Sequence, residues 1–246
     1  MPRTHKSLPR LFVDIAMSPG AEIALDKAQT NYLVNVLRRG AGEQCVVFNG
    51  RDGAFLTQIA QASKKTVTLT LVEQSAVQTE PNDLWYGFAP IKRLDYIVQK
   101  ATEMGAGIIQ PVLTRHVQNP RVNPDKLRAN AIEAAEQCEV LSVPQIGDAI
   151  AFDALLSGWR EAHGDRKLVF CDEEAASESP IDTLAALEGE RLGLLIGPEG
   201  GFAPEERERL LAQDFVIPIS LGPRILRADT AAVAALALIQ AVAGDW

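Results

Sequence analysis

Residues 191–232 read RLGLLIGPEGGFAPEERERLLAQDFVIPISLGPRILRADTAA, and this stretch decides the fold. It contains two similar units. The apolar run Leu192–Ile196 leads into Gly197-Pro198-Glu199-Gly200-Gly201, and the run Phe215–Ile219 leads into Ser220-Leu221-Gly222-Pro223. Short apolar runs bounded by glycine and proline read as buried parallel strands. Loops at the carboxyl ends of such strands are where open α/β sheets bind ligands. Neither loop carries Lys-Ser/Thr after its glycines, and neither has the G-x-G-x-x-G spacing of a dinucleotide site. Taken singly, each is also compatible with an ordinary turn, so the residues alone give a ligand site of unspecified chemistry.

Upstream, the pattern from Leu84 alternates strand and helix, the mark of an α/β domain. Leu84–Ala89 and Ile108–Leu113 read as strands. Between them Ile91, Leu94, Ile97, Val98, Ala101 and Met104 share one helical face. Asn123–Cys138 reads as a long helix with Pro124 at its first position. Phe152–Ala162 and Asp182–Leu187 are further helices, Lys167–Cys171 a strand, and Pro204–Gln213 a charged surface helix. The last helix, Thr230–Ala243, has Ala228 or Asp229 at its cap. It is apolar nearly all round, which predicts burial or packing on a second copy in a symmetric dimer.

The first 75 residues differ in kind. Arg10–Val13, Cys45–Asn49, Ala54–Ala60 and Thr66–Glu73 read as strands, and Asp26–Leu37 has helical spacing. Asn49-Gly50 between apolar runs is a hairpin signal. The expectation is a small barrel over 1–75, a polar linker at Gln74–Asp83, and an α/β domain over 76–246. Basic residues gather at the turns of the barrel: Arg38, Arg39, Arg51, Lys64 and Lys65. They suit contact with RNA phosphates, although for any one of them a solvated rim is the simpler account.

Net charge is −8, which opposes a nucleic-acid partner, but the charge is uneven. Residues 1–75 hold 9 Lys/Arg against 6 Asp/Glu, and residues 76–246 hold 15 against 26. Such asymmetry can mark an RNA-facing end. The three cysteines, Cys45, Cys138 and Cys171, lie far apart and form no C-x-x-C pair. That suits a reducing cytoplasm and argues against a zinc site. No signal peptide is visible, and Ala231–Ile239 falls well short of the ~18 apolar residues that cross a bilayer.

The paired loops together are more specific. GPEGGF followed by SLGPRILRADTAA resembles the C-terminal signature of the bacterial enzymes that methylate N3 of a uridine in 16S ribosomal RNA, within the SPOUT group of knotted methyltransferases. KRLDYIVQKATEMG at 92–105 is similar to that family's first α/β helix, and AIEAAEQC at 131–138 to its E-A-A-E-Q helix. Arg10–Val13, Val36-Leu37-Arg38 and Phe48-Asn49-Gly50 resemble its small N-terminal barrel. The likeness departs where Glu139-Val140 replaces Gly-Arg, where Thr114-Arg115-His116 replaces an acidic-Arg-Ser run, and where Asp229 replaces Glu.

The resemblance implies an α/β fold in two parts, a PUA-like barrel and a SPOUT domain closed by a deep trefoil knot. It implies S-adenosylmethionine as cofactor, held by Phe170, Ile196, Gly197, Pro198, Gly200, Gly201, Leu221, Gly222, Ile225 and Leu226. Arg227 is the candidate for stabilising a uracil anion, with Glu199 and Asp229 as acid–base or orienting groups. No histidine stands in the C-terminal signature, so a histidine base is not indicated. RNA contact is expected from Arg10, Arg38, Arg39, Arg51, Lys92 and Arg93. The expected partners are 16S ribosomal RNA in the small subunit and a second copy of the chain, with no membrane and no metal. A non-catalytic RNA-binding protein of the same fold, or a nucleotide-using enzyme, would carry the same glycine loops.

Overall fold

The computed structural model describes residues 8–117, 120–175 and 179–246. The chain divides into two compact units, Met1–Pro81 with Ala135–Val143, and Asn82–Ala134 with Pro144–Trp246.

The first unit contains β1 (Arg10–Phe12), β2 (Glu22–Ala24), α1 (Lys27–Asn31), β3 (Gln44–Phe48), β4 (Ala54–Ala62) and β5 (Val67–Ala76). The five strands form a half-barrel in the order β1-β3-β4-β5-β2, antiparallel except for β1 beside β3. Three register shifts between β4 and β5 add the local twist that bends such strands. Leu11, Ile23, Leu33, Val47, Phe55 and Leu69 pack within it. The short strand β2 is not foreseen in the sequence.

The expected helix over 26–37 begins as predicted. Asp26 caps it, with Gln29 closing a reciprocal capping box. It then widens into a π-helical turn, Tyr32–Val36, where the Leu37 N–H bonds the Tyr32 carbonyl at 2.9 Å. Arg38 follows with φ +56, a left-handed conformation uncommon for a residue with a side chain. The Asn49–Gly53 connection is wider than a two-residue hairpin turn. The Asn49 side-chain oxygen accepts the N–H groups of Arg51 and Asp52, and the Asp52 carboxylate accepts from Met17 N–H and the Asn49 amide. The Met17 N–H, then Asn49, holds the Asp52 carboxyl below its ordinary range.

The second unit runs β6 (Trp85–Phe88), α2 (Leu94–Glu103), β7 (Ile108–Leu113), α3 (Pro124–Cys138), β8 (Gln145–Ile146), β9 (Ile150–Ala151), α4 (Phe152–His163), β10 (Lys167–Cys171), α5 (Pro180–Ala185), β11 (Leu192–Ile196), α6 (Pro204–Leu211), β12 (Val216–Ile219) and α7 (Ala228–Ala243). The two-residue strands β8 and β9 are too short to give a periodic signal. The sheet order is β12-β10-β11-β6-β7-β8, every pairing parallel, with β9 beside β7 off this path. All of β11 is buried, as expected of a parallel strand covered on both faces. One face carries Trp85, Trp159, Phe170, Phe215 and Leu168. Trp85 and Trp159 meet edge to face at 5.1 Å, and Trp159 stacks on Phe215 at 5.5 Å.

The final helix starts earlier than its spacing suggests. Arg227 occupies the cap position, and its carbonyl accepts the Ala231 N–H at 2.8 Å. Asp229 therefore lies inside the first turn, where a carboxylate favours the helix dipole. Ala232, Ala235, Leu236 and Ile239 are buried, while Val233, Ala234, Ala237 and Leu238 are only partly covered. The end of α3 belongs to the first unit: Ala135 is buried beside Val46, Phe48 and Ala54, and the Glu136 carboxylate accepts the Phe12 N–H at 2.8 Å.

Candidate active site

Parallel pairing places the carboxyl ends of β6, β7, β10, β11 and β12 along one edge of the second unit. Segments 89–93, 114–117, 172–175, 197–203 and 220–227 leave from that edge. Because β10 separates β11 from β12, the two glycine loops begin about 10 Å apart.

The loop after β11 is built by close packing. Ala89 N–H donates to Ile196 O at 2.9 Å, fixing its start against β6. A Cβ at Gly197 would stand 2.7 Å from the Phe202 ring. Glycine there lets that ring fold back under the loop, edge-on to Phe170 at 5.3 Å. Gly201 closes the turn by donating to Pro198 O at 2.9 Å with φ +68. The loop after β12 is open. A side chain at Gly222, φ +101, would meet nothing within 4 Å, so the main chain there is bare. Leu221 and Leu226 are half-buried beside it, and Ile225 is 88% exposed. Phe170, Ile196 and Pro198 are buried under the edge and support the loops from below.

The charged candidates separate. Arg227 and Glu199 are exposed at this edge and are in no ion pair among the described residues. Asp229 is committed: one oxygen takes Arg93 Nη1 at 2.9 Å and the other accepts the Thr230 N–H at 2.9 Å. Its side chain is 12% exposed. Arg93 also lies over the Tyr96 ring at 4.3 Å. The residue read as an RNA contact and the residue read as an acid–base group thus hold one another. The pair ties the entry of α2 to the first turn of α7. Lys92 is exposed.

In the first unit, Arg38 is exposed. Arg39 pairs with Glu43 at 2.6 Å and Arg51 with Asp14 at 2.9 Å. Arg10 is half-buried: it donates to Val140 O at 3.2 Å and sits over Phe48 at 4.8 Å. Burial pushes its guanidinium below the ordinary arginine range.

Two groups at the edge are not foreseen. Arg207 grips the buried Asp172 carboxylate through Nε and Nη2 at 2.9–3.1 Å, fastening α6 to the end of β10. That contact raises the guanidinium further. His116 places Nδ1 3.2 Å from Gly200 O and 3.1 Å from Gly201 O. Its β7 segment reaches across the end of β6 to do so. Sequence separation of more than eighty residues hid this contact.

A cleft of about 280 Å³ opens at the opposite edge, lined by Asn82, Asp83, Arg191 and Gln240 among others. Asp83 there bonds Arg191 at 2.7 Å and the fully buried Arg166 at 2.8 Å. The bare main chain of Gly222 and the exposed Arg227 and Glu199 lie at the other edge.

A family model described as an RNA methyltransferase domain matches residues 78–240, and one described as an RNA methyltransferase PUA domain matches residues 25–72. Over 235 residues the chain is 32% identical to the ribosomal RNA small subunit methyltransferase E of Rickettsia conorii, with 94% of each covered. The chain belongs to the small-subunit ribosomal RNA methyltransferase E family. A methyltransferase E of Buchnera aphidicola is 28% identical over 254 residues, covering 98% of both chains. A Legionella pneumophila protein, solved in complex with the bound cofactor S-adenosylmethionine, superposes with a TM-score of 0.82 at 29% identity, covering 97% of this chain and 99% of that one. The glycine loops of this methyltransferase E family member lie within the matched region.

Proposed function

We propose that the protein transfers a methyl group from S-adenosylmethionine to N3 of a uridine in 16S ribosomal RNA of the small subunit. The observation that carries this reading is the pair of glycine loops at one sheet edge, with bare main chain beside Leu221, Ile225 and Leu226. These residues fit the cofactor. Gly222 has the room that a side chain would fill, and an apolar border with exposed main-chain groups suits an adenine ring. An isoleucine 88% exposed in a loop gains by being covered.

S-adenosylmethionine bound there supplies a methyl group already activated by its sulfonium. What remains for the protein is alignment of the acceptor and stabilisation of charge. Arg227, exposed at the cap of α7, stabilises the negative charge that develops on the uracil in this reading. Glu199 orients the approaching group, and the Arg93–Asp229 pair holds the backbone from which Arg227 projects.

The wider reading includes a trefoil knot. Its support is that α7, which follows the edge strand β12, packs back against α2, α5 and β11. The half-covered face of α7, with Val233, Ala237 and Leu238, fits a second copy of the chain. Arg38 and Lys92 are both exposed and in no ion pair among the described residues, and they are proposed to touch RNA phosphate. No helix among the described residues is long and apolar enough to cross a membrane. Work on ribosomal subunits would place the protein in the cytoplasm.

The test is methyl transfer from labelled S-adenosylmethionine to small subunits from cells lacking the enzyme, followed by nucleoside analysis. Label in 3-methyluridine is expected. Label only in another nucleoside, or none with intact cofactor binding, would overturn the assignment.

A further inference from the structure

We propose that His116 takes the N3 proton of the substrate uracil. The proposal rests on the functional reading above.

Two carbonyl oxygens lie within hydrogen-bond distance of Nδ1. Carbonyl oxygens only accept, so Nδ1 must carry the hydrogen and donate it to both. In the neutral ring that leaves Nε2 unprotonated, with its lone pair pointing away from the loop. The tautomer is therefore set by the loop that borders the cofactor site, as an orienting partner sets a catalytic imidazole.

The segment that carries the ring is also held, through its neighbour Arg115. Arg115 N–H donates to Glu206 Oε1 at 2.8 Å, and Glu206 Oε2 takes the Ala203 N–H at 3.0 Å. Arg115 Nη1 adds a 3.4 Å contact to Glu205. The charged groups around His116 are thus Arg115 on its own segment, Glu205 and Glu206 on α6, and Glu199 in the glycine loop. Glu206 is occupied by two backbone donors and Glu205 by Arg115. His116 itself is exposed, at the sheet edge where an acceptor must arrive.

The other groups suit the task less well. Asp229 has both oxygens engaged. His163 is packed against Trp159 at 4.3 Å, near the opposite edge. Imidazole is the side chain most often used for proton transfer near neutral pH. In the step, the N3 proton passes to Nε2 and the N3 electron pair forms the bond to the methyl carbon. The carbon–sulfur bond breaks with its electrons returning to sulfur, S-adenosylhomocysteine leaves, and the imidazolium gives its proton to water.

The test uses His116→Asn and His116→Ala in the full-length protein. Asparagine keeps an N–H donor near the Nδ1 position and removes the base. His116→Asn is expected to bind S-adenosylmethionine and small subunits as wild type does, while single-turnover methylation falls about 100-fold, the lower end for a lost general base. Added imidazole should restore part of the rate in His116→Ala. Nitrogen NMR of the wild-type ring should show hydrogen on Nδ1. A wild-type rate in His116→Asn, a loss that follows cofactor affinity, or hydrogen on Nε2 would each overturn the proposal. Wild-type protein that labels no uridine would instead strike the functional reading itself.

Discussion

Gly87→Ala should unlatch the aromatic core beneath the site. Gly87 lies in β6, two residues after Trp85, so both side-chain directions share one face. A Cβ on Gly87 would stand 2.2 Å from Cη2 and 2.4 Å from Cζ3 of Trp85, against ordinary contact at 3.4 Å or more. The ring must move by more than about 1 Å. It has nowhere to go: Trp85 is 1% exposed and meets Trp159, which is fully buried. Overpacking of this kind costs about 1–3 kcal/mol, and a rigid bicyclic ring among buried neighbours belongs at the upper end. Alanine recovers about 0.5–1 kcal/mol of backbone entropy relative to glycine in a strand. The net loss is therefore about 2 kcal/mol. Urea unfolding followed by tryptophan fluorescence reports it cleanly, because Trp85, Trp159 and Trp246 all lie in the second unit. With a slope of about 2 kcal/mol per molar, the midpoint should fall by about 1 M. Adding Trp85→Phe removes the clashing atoms, so the double variant should be less destabilised than the sum of the two by at least about 1 kcal/mol. Strict additivity, or a Gly87→Ala midpoint equal to wild type, would refute the packing argument.

Arg227→Ala is expected to bind S-adenosylmethionine and small subunits normally and lose about 100-fold in single-turnover rate, the scale of one lost charge-stabilising donor; full turnover would remove it from the mechanism. Binding to small subunits should weaken as salt rises, since phosphate contacts release counterions, and Arg38→Ala should reduce the slope; a salt-independent affinity would refute phosphate docking. Asp83→Asn should destabilise the second unit by about 1–2 kcal/mol at pH 7, less than a fully buried pair because Asp83 is half-exposed. The Arg191 bond, then Arg166, holds the Asp83 carboxyl below its ordinary range. Its contribution is therefore present above the unfolded aspartate value of about 3.9 and lost as pH falls through the lower folded value. The midpoints of wild type and Asp83→Asn should converge in acid, and a gap that persists would refute the linkage.

Much of the α/β unit was legible because its strands are short apolar runs stopped by glycine and proline. Ile108–Leu113, Lys167–Cys171 and Leu192–Ile196 are strands over the residues that the sequence marks. The π-helical turn was not legible, since Tyr32, Leu33, Val36 and Leu37 satisfy α-helical spacing equally well. The cap of α7 is not legible: the spacing and side-chain chemistry point to Ala228 or Asp229, whereas Arg227 occupies the position through its backbone alone. At the site, the two glycine loops could be read from local composition. The pairing of Arg93 with Asp229 and the reach of His116 to Gly200 could not, because each joins segments that the sheet order brings together and the chain order keeps apart. A single histidine after an apolar run carries no local signal.

The return of Ala135–Val143 to the first unit has a consequence for how such a protein is inherited. No one cut in the gene separates the two units. A fragment ending at Pro81 lacks the Glu136 carboxylate that takes the Phe12 N–H and the Ala135 methyl that packs with Phe48. A fragment beginning at Asn82 carries those groups with nothing to receive them. Recombination at the polar stretch near Pro81 would yield two impaired halves, so the first unit cannot be exchanged as a cassette, and the two units are bound to descend together.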